Sequence, residues 1–190
     1  MKVIDTPIAD LKIIEPNLFG DERGFFFESF RDSWFREHVS DVHFVQENHS
    51  RSKRGILRGL HYQSSQTQGK LVRVISGEVF DVAVDLRRES TTYGQWFGTY
   101  LSEENRRQLW IPAGFAHGFY VISESADCIY KCTDYYAPEF EKTIIWNDTE
   151  LSVDWPLSRV NRSKTDDIAQ PILSAKDSAG LAFNSREHWL

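Results

Sequence analysis

Short runs of β-branched and aromatic residues, each cut off within a few positions by Gly, Pro, Asn, Asp or Ser, recur along most of the chain. Runs this short cannot build long helices, and they suit the pleated, half-buried surface of a strand. The chain is therefore restricted to an all-β sandwich or barrel. The pattern predicts strands over Leu11–Ile14, Gly24–Phe30, Phe44–His49, Gly55–Gln63, Lys70–Ile75, Glu78–Leu86, Gln95–Leu101, Arg107–Ile111, Gly118–Ile122, Ala126–Tyr135 and Thr143–Trp146. One helix is predicted, over Asp32–Val39, with Asp32 as N-cap and Trp34, Phe35 and His38 on one face. A tight turn at Ser76-Gly77 separates two strong strand signals, KLVRVIS and EVFDVAVDLR, and predicts that these two strands pair as neighbours.

A length of 190 residues suits one domain with a substantial core. After Trp155-Pro156 the alternation fades into NRSKTDDIAQPILSAKDSAG. The expectation is a single domain over 1–190, with 156–190 a C-terminal segment wrapping the barrel. A net charge of -6 provides no global field for a polyphosphate or an anionic membrane, so neither nucleic acid nor membrane is expected as a partner. Any bound anion must be gripped locally. Cys128 and Cys132 are too close in sequence for a disulfide framework and lack a second pair for zinc, so both read as reduced core thiols. The N-terminus MKVIDTPIADLKII has no apolar signal core or cleavage site, which predicts a cytoplasmic protein.

Several strands carry polar groups where hydrocarbon is the norm. In RGLHYQ, alternation puts His61 and Gln63 on one face and Arg58 on the other, unless Gly59 hosts a bulge that turns both inward. Taken alone, His61 reads first as a satisfied core histidine, and Lys70 as a solvated strand end. In ADCIYKCTDYY two small thiols flank Tyr130 on one face and leave room around its hydroxyl; a core tyrosine bonded to a carbonyl fits equally well. Arg23 and Glu28 bracket three phenylalanines in DERGFFFES, and Gln46 and Asn48 share a face of FVQENHS. Surface placement explains each by default, yet guanidinium and amide groups are also what phosphates and pyrimidine edges call for. Tyr135, Tyr136, Trp146 and Phe26 are candidates for stacking on a base or sugar.

Pro112, Gly114 and His117 in IPAGFAHGF form a P-x-G-x-x-H arrangement that resembles the second conserved motif of the cupin superfamily. That resemblance implies a cupin-type double-stranded β-helix, or jelly roll. Metal-binding cupins also need an H-x-H pair and a carboxylate upstream; this chain has an isolated His61, so no metal is expected.

Taken together, DERGFFFESF, FVQENHSRSKRGILRGLHYQ, QGKLVRVISGEVFDVAVDLRRES, GQWFGTYLSEENRRQLWIPAGFAHGF, YKCTDYYAPEFE, WND and LSAKD resemble the dTDP-4-dehydrorhamnose 3,5-epimerase family in one colinear order. The resemblance implies inversion of C3 and C5 of a dTDP-4-keto-6-deoxyhexose without a cofactor. It implies His61 as base, Asp177 as the carboxylate that orients it, Tyr130 as acid, and Lys70 beside the sugar ketone. It assigns Arg23, Glu28, Gln46, Glu47, Asn48, Arg58, Lys70, His117, Glu141 and Lys176 to the nucleotide sugar. It further implies a homodimer with exchanged N-terminal strands, in which Arg23 and Glu28 serve the neighbouring site. The connection NRSKTDDIAQ is longer than usual for the family and leaves Asp166 and Asp167 as alternatives to Asp177.

The residue types suit that chemistry. A carboxylate-backed histidine is a base near neutral pH, tyrosine is a weak acid able to reprotonate a basic enolate, and a lysine ammonium stabilises a developing oxyanion. Three other readings fit the same fold: an epimerase acting at one carbon only, a metal-dependent cupin enzyme, and a cupin that binds a nucleotide sugar without turning it over.

Overall fold

The computed structural model describes residues 1–160 and 170–184. Its strands, in chain order, are β1 (Lys2–Asp5), β2 (Lys12–Glu15), β3 (Phe19–Asp21), β4 (Gly24–Phe26), β5 (Gln46–Lys53), β6 (Leu57–Gln63) and β7 (Lys70–Ser76). They continue with β8 (Glu78–Asp85), β9 (Trp96–Ser102), β10 (Gln108–Ile111), β11 (Phe115–Val121), β12 (Ser125–Cys132) and β13 (Glu141–Thr143). Helix α1 (Asp32–His38) lies between β4 and β5, and the single turn α2 (Ala175–Ser178) follows the strands. Two sheets, ordered β1-β2-β10-β7-β12-β5 and β13-β6-β11-β8-β9, stack as a cupin-type jelly roll, and β3 and β4 form a separate ribbon.

Each predicted strand overlaps an observed one, while β1 and β3 were not anticipated. β11 begins at Phe115, three residues before the expected Gly118, so His117 lies within a strand rather than in the turn ahead of it. Helix α1 is one residue out of step with expectation: Asp32 is its first residue, and Arg31 occupies the cap position without a capping side chain.

The expected pairing of the two strands around Ser76-Gly77 is corrected by the structure. β7 and β8 belong to different sheets, and the turn is a corner that carries the chain from one sheet to the other. Gly77 has a φ of 79°, and a Cβ there would come within 2.1 Å of the Ser125 carbonyl oxygen. Hairpin turns and sheet corners both need a positive φ, so the same glycine signals both.

Apolar side chains facing inward from both sheets make the central core, including Val72, Val74, Leu109, Ile111, Val79, Ala83, Phe119 and Val121. Two further clusters cover the outer faces. Phe35 of α1 packs on Leu71 and Trp110 outside the six-stranded sheet. Trp155, Leu151 and Phe183 pack with Leu57, Tyr62, Phe80, Val82 and Tyr120 outside the five-stranded one. Central strands β8 and β11 are therefore buried on both sides, which is why EVFDVAVD reads as a nearly unbroken apolar run.

Candidate active site

The inner face of the six-stranded sheet changes character along its strands' hydrogen-bonded rows. Ile111 pairs with Lys70, which pairs with Cys132, which pairs with Gln46; Leu109 pairs with Val72, then Tyr130, then Asn48. Aliphatic residues toward β10 give way to polar ones toward β5. There the sheets part around a cavity of about 370 Å³, within the range typical of small-molecule sites. Gln46, Asn48, Ser50, Lys70 and Tyr130 line it from the six-stranded sheet, and Arg58, His61, His117 and Glu141 from the five-stranded one. Tyr136 and Lys176 stand at the rim.

Arg58 and His61 both reach this cavity because the pairing of β6 with β11 slips. His117 lies opposite His61, but Phe119 lies opposite Arg58, so the register shifts at Gly59. Gly59 has a φ of 124° and packs against Gly118; a Cβ on it would meet Gly118 Cα at 2.5 Å. The local break undoes strict alternation and aims both side chains inward.

His61 Nε2 lies 2.6 Å from Asp177 Oδ1. The same oxygen accepts from the Gly59 N–H at 3.2 Å, and Ser174 Oγ donates to Asp177 Oδ2 at 2.6 Å. Burial pushes the His61 pKa down, opposed by the Asp177 hydrogen bond, and the balance leaves it below the ordinary histidine value. Burial pushes the Asp177 carboxyl up, yet hydrogen bonds from His61, Ser174 and Gly59 outweigh this and hold it well below the usual carboxylate range. The dyad is thus a neutral imidazole against a carboxylate. With Nε2–H donating to Asp177, Nδ1 carries the free lone pair.

Tyr130 comes from the sheet opposite His61, and burial raises the pKa of its phenol. Burial lowers the pKa of the half-buried Lys70 ammonium, a change only partly offset by Cys132, Asp81 and Glu141. Neither the Tyr130 hydroxyl nor the Lys70 ammonium hydrogen-bonds to a described residue, so both face the cavity uncommitted. His117 Nε2 sits 2.9 Å from both oxygens of buried Asp81. Glu141 accepts from Tyr136 Oη and Lys176 Nζ, and these bonds hold its pKa down against burial. Among the described residues no three His, Cys, Asp or Glu side chains converge as a metal-ligand set.

The family model described as dTDP-4-dehydrorhamnose 3,5-epimerase matches residues 5–185. The chain belongs to this epimerase family. An epimerase of that name from Pseudomonas aeruginosa is 58% identical over 184 residues, 96% of either chain. Another, from Neisseria gonorrhoeae, is 54% identical over 187 residues, which are 98% of this chain and 54% of that protein; the chain spans about half the length of that relative. The solved dTDP-6-deoxy-D-glucose-3,5-epimerase of Legionella pneumophila, in complex with dTDP-4-keto-L-rhamnose, is 56% identical. It superposes with a TM-score of 0.87 over 95% of this chain and 92% of its own.

In this member of the epimerase family the cavity gathers His61, Lys70, Tyr130, Gln46, Asn48, Arg58, His117, Glu141 and Lys176, with Asp177 directly behind His61. Three expected residues are not gathered. Glu47 points to the opposite face of β5 from Gln46 and Asn48, where it pairs with Lys131 at 2.6 Å. That is what alternation dictates for a residue between two inward neighbours. Arg23 pairs with Asp21 on the β3–β4 ribbon, and Glu28 pairs with Arg31 nearby, both on the surface. Asp166 and Asp167 lie outside the described residues, as do 161–169 and 185–190 of the C-terminal segment. Of the aromatic candidates Tyr136 reaches the cavity, whereas Tyr135 and Phe26 are exposed and Trp146 packs against the outer core.

Ser50 was overlooked by sequence reasoning. Its hydroxyl is shielded from solvent, belongs to a residue lining the cavity, and has no hydrogen-bond partner among the described residues. It lies two residues beyond Asn48 on the same strand face, so the alternation that singled out Gln46 and Asn48 would have reached it. Gln63, by contrast, spends its amide on the backbone of Gln66, Tyr135 and Ala137, and so anchors the loop that carries Tyr136.

Proposed function

We propose that this chain inverts C3 and C5 of dTDP-4-keto-6-deoxy-D-glucose to give dTDP-4-keto-L-rhamnose, by proton removal and return through an enolate. The observation that carries this reading is a base and an acid on opposite walls of one cavity: His61, backed by Asp177 at 2.6 Å, against Tyr130. His61 takes the proton from a carbon beside the C4 ketone, and the C–H electron pair moves into the enolate. The Lys70 ammonium meets the negative charge that builds on the C4 oxygen. Tyr130 then delivers a proton to the opposite face of the same carbon. One proton leaves and one arrives at each centre, so composition is unchanged; solvent resets both groups, and the second carbon follows by the same steps.

In this reading Gln46, Asn48, Arg58, His117, Glu141 and Lys176 hold the nucleotide sugar. Phe19, Phe25 and Phe26 are each more than half exposed on the β3–β4 ribbon, which supports a homodimer in which that ribbon exchanges and carries Arg23 and Glu28 to a second copy's cavity. The chain works in the cytoplasm on a soluble nucleotide sugar; none of its described helices is long and apolar enough to cross a membrane.

The test is proton NMR of dTDP-4-keto-6-deoxy-D-glucose in deuterium oxide with EDTA-treated protein. Loss of both the C3 and C5 proton signals, with appearance of the L-lyxo product, is the expected result. Exchange at one carbon makes the chain a mono-epimerase, and exchange at neither overturns the proposal.

A further inference from the structure

The base is only as well placed as the carboxylate behind it, and that carboxylate stands on an unusual support. Asp177 belongs to α2, a single turn of four residues. A helix this short has no stability of its own, because nucleation is unfavourable and there is no length over which to recover it. The turn exists because the chain on either side is clamped to the barrel. Ahead of it, Ile172 N–H donates to the Gly55 carbonyl at 2.7 Å and the Ile172 carbonyl accepts from Leu57 N–H at 3.0 Å. Behind it, Leu181 exchanges the equivalent pair of bonds with Thr143 and Ile145, at 3.0 and 2.9 Å. These clamps fix where the turn sits; they do not fix which way the Asp177 side chain faces.

That second task falls to Ser174. As the N-cap of α2 its Oγ accepts from the Asp177 N–H at 3.1 Å, and the same hydroxyl donates to Asp177 Oδ2 at 2.6 Å. Both interactions of one hydroxyl thus return to one residue and close a ring that locks the carboxylate plane. In an ordinary capping box the third residue of the helix turns its carboxylate back to the cap's own N–H. Here Asp177 occupies that third position, but its Oδ2 meets the serine hydroxyl while its Oδ1 is left for His61 and Gly59. No other described residue bonds Oδ2.

We propose that Ser174 is a positioning residue for the base, acting through Asp177. This rests on the epimerase reading of the site and deepens it. The Ser174 hydroxyl holds Oδ1 on His61 Nε2, and so keeps Nδ1 as the free lone pair of the ring. Without it, the carboxylate should lose its fixed plane, and the hydrogen bond to His61, which holds the imidazole pKa up, should weaken.

The competing role is a plain helix cap, and the two separate cleanly. Glycine is a serviceable N-cap, whereas alanine is a poor one. A cap role predicts that Ser174→Gly stays near wild type and that only Ser174→Ala is impaired. The positioning role predicts that both lose about 10–100-fold in kcat with little change in KM, by analogy with partners that orient metal-ligating side chains. Ser174→Thr, which keeps the hydroxyl, should restore activity. Because Ser174 acts through the Asp177 carboxylate, adding Ser174→Gly to Asp177→Ala should cost nothing further. An independent readout is the titration of the His61 ring by NMR in labelled protein without substrate: its pKa should fall in Ser174→Ala and Ser174→Gly and stay at the wild-type value in Ser174→Thr. Wild-type kcat and an unmoved His61 titration in Ser174→Gly would overturn the proposal, as would full additivity with Asp177→Ala. If the wild-type protein exchanges neither carbon, the epimerase reading fails on its own, and the His61 titration still decides whether Ser174 governs the dyad.

Discussion

In the proposed mechanism, replacing Asp177 by Asn isolates one quantity, the negative charge behind the base. The two side chains have the same shape, so the buried site need not repack. The amide oxygen can take the Oδ1 position and keep the bonds from His61 and Gly59, while the amide nitrogen faces Ser174 Oγ, which can switch from donor to acceptor. What disappears is the ion pair that forms once His61 has taken the substrate's proton. Breaking a buried pair by removing one partner costs about 3–5 kcal/mol. At about 1.36 kcal/mol per decade this is a loss of roughly 10²–10⁴-fold. The cost falls on the imidazolium of the transition state and not on the neutral histidine of the ground state, so it should appear in kcat with KM nearly unchanged. Because Asp177 raises the His61 pKa through both its hydrogen bond and its charge, the acid limb of the pH profile should also move to lower pH in the variant. Steady-state rates, C3 and C5 deuterium exchange and a melting curve measure all three effects. A kcat within tenfold of wild type in a normally folded variant, or a loss confined to KM, would refute the reasoning.

Burial lowers the His61 pKa, so the base is deprotonated at neutral pH and kcat/KM should begin to fall only below about 6.5, the ordinary histidine value; a limb above that value contradicts the assignment. Tyr130→Phe should still exchange substrate protons with deuterium but yield little inverted product, and inversion at the wild-type rate removes Tyr130 as the acid. Gly59→Ala combines a positive φ with a Cβ 2.5 Å from Gly118 Cα, which together should cost about 2–6 kcal/mol and lower Tm by roughly 5 °C or more; an unchanged melting curve would show that the backbone can relax there. Asp85 is held at about 2, because hydrogen bonds from Arg87, Ser90 and Thr92 outweigh the upward push of burial. Its folded pKa lies below the unfolded value, so the stability it contributes is present above about 4 and is lost as pH falls through about 2. Asp85→Asn should therefore melt lower than wild type at pH 7, with the gap closing toward pH 2.

Where one strand carries the information, the site could be read from the chain. Gln46 and Asn48 share a face by period-two alternation, Cys128 and Cys132 leave room around Tyr130 in the same way, and Glu47 faces outward by the same rule. Gly59 was legible as a possible break, and the register shift at that position brings Arg58 into the cavity. The Ser76-Gly77 turn was misread because local sequence sets the turn but not the sheet to which the next strand belongs. That is decided by long-range pairing, which places β7 against β10 and β12 but β8 against β11 and β9. Asp177 is harder still. It lies 116 positions from His61, beyond a polar connection, and no periodicity relates the two. They are brought together by the backbone clamps at Ile172 and Leu181, with Leu173 and Phe183 packed into the outer core.

In the proposed function, the arrangement also accounts for how a chain with a net charge of -6 would take up an anionic sugar nucleotide. Three cations border the cavity, and they are not equivalent. Lys176 is bound to Glu141 at 2.6 Å, and Arg58 donates to the Ser52 hydroxyl at 2.9 Å from an exposed position at the mouth. Lys70 lies deeper, has no hydrogen bond to a described residue, and is already driven toward the neutral form by desolvation. An incoming neutral ketone satisfies it weakly, whereas an enolate oxygen restores the charge partner that burial removed. In the proposed mechanism the interaction therefore strengthens as the reaction proceeds, and it is that difference, not the tightness of substrate binding, that would lower the barrier.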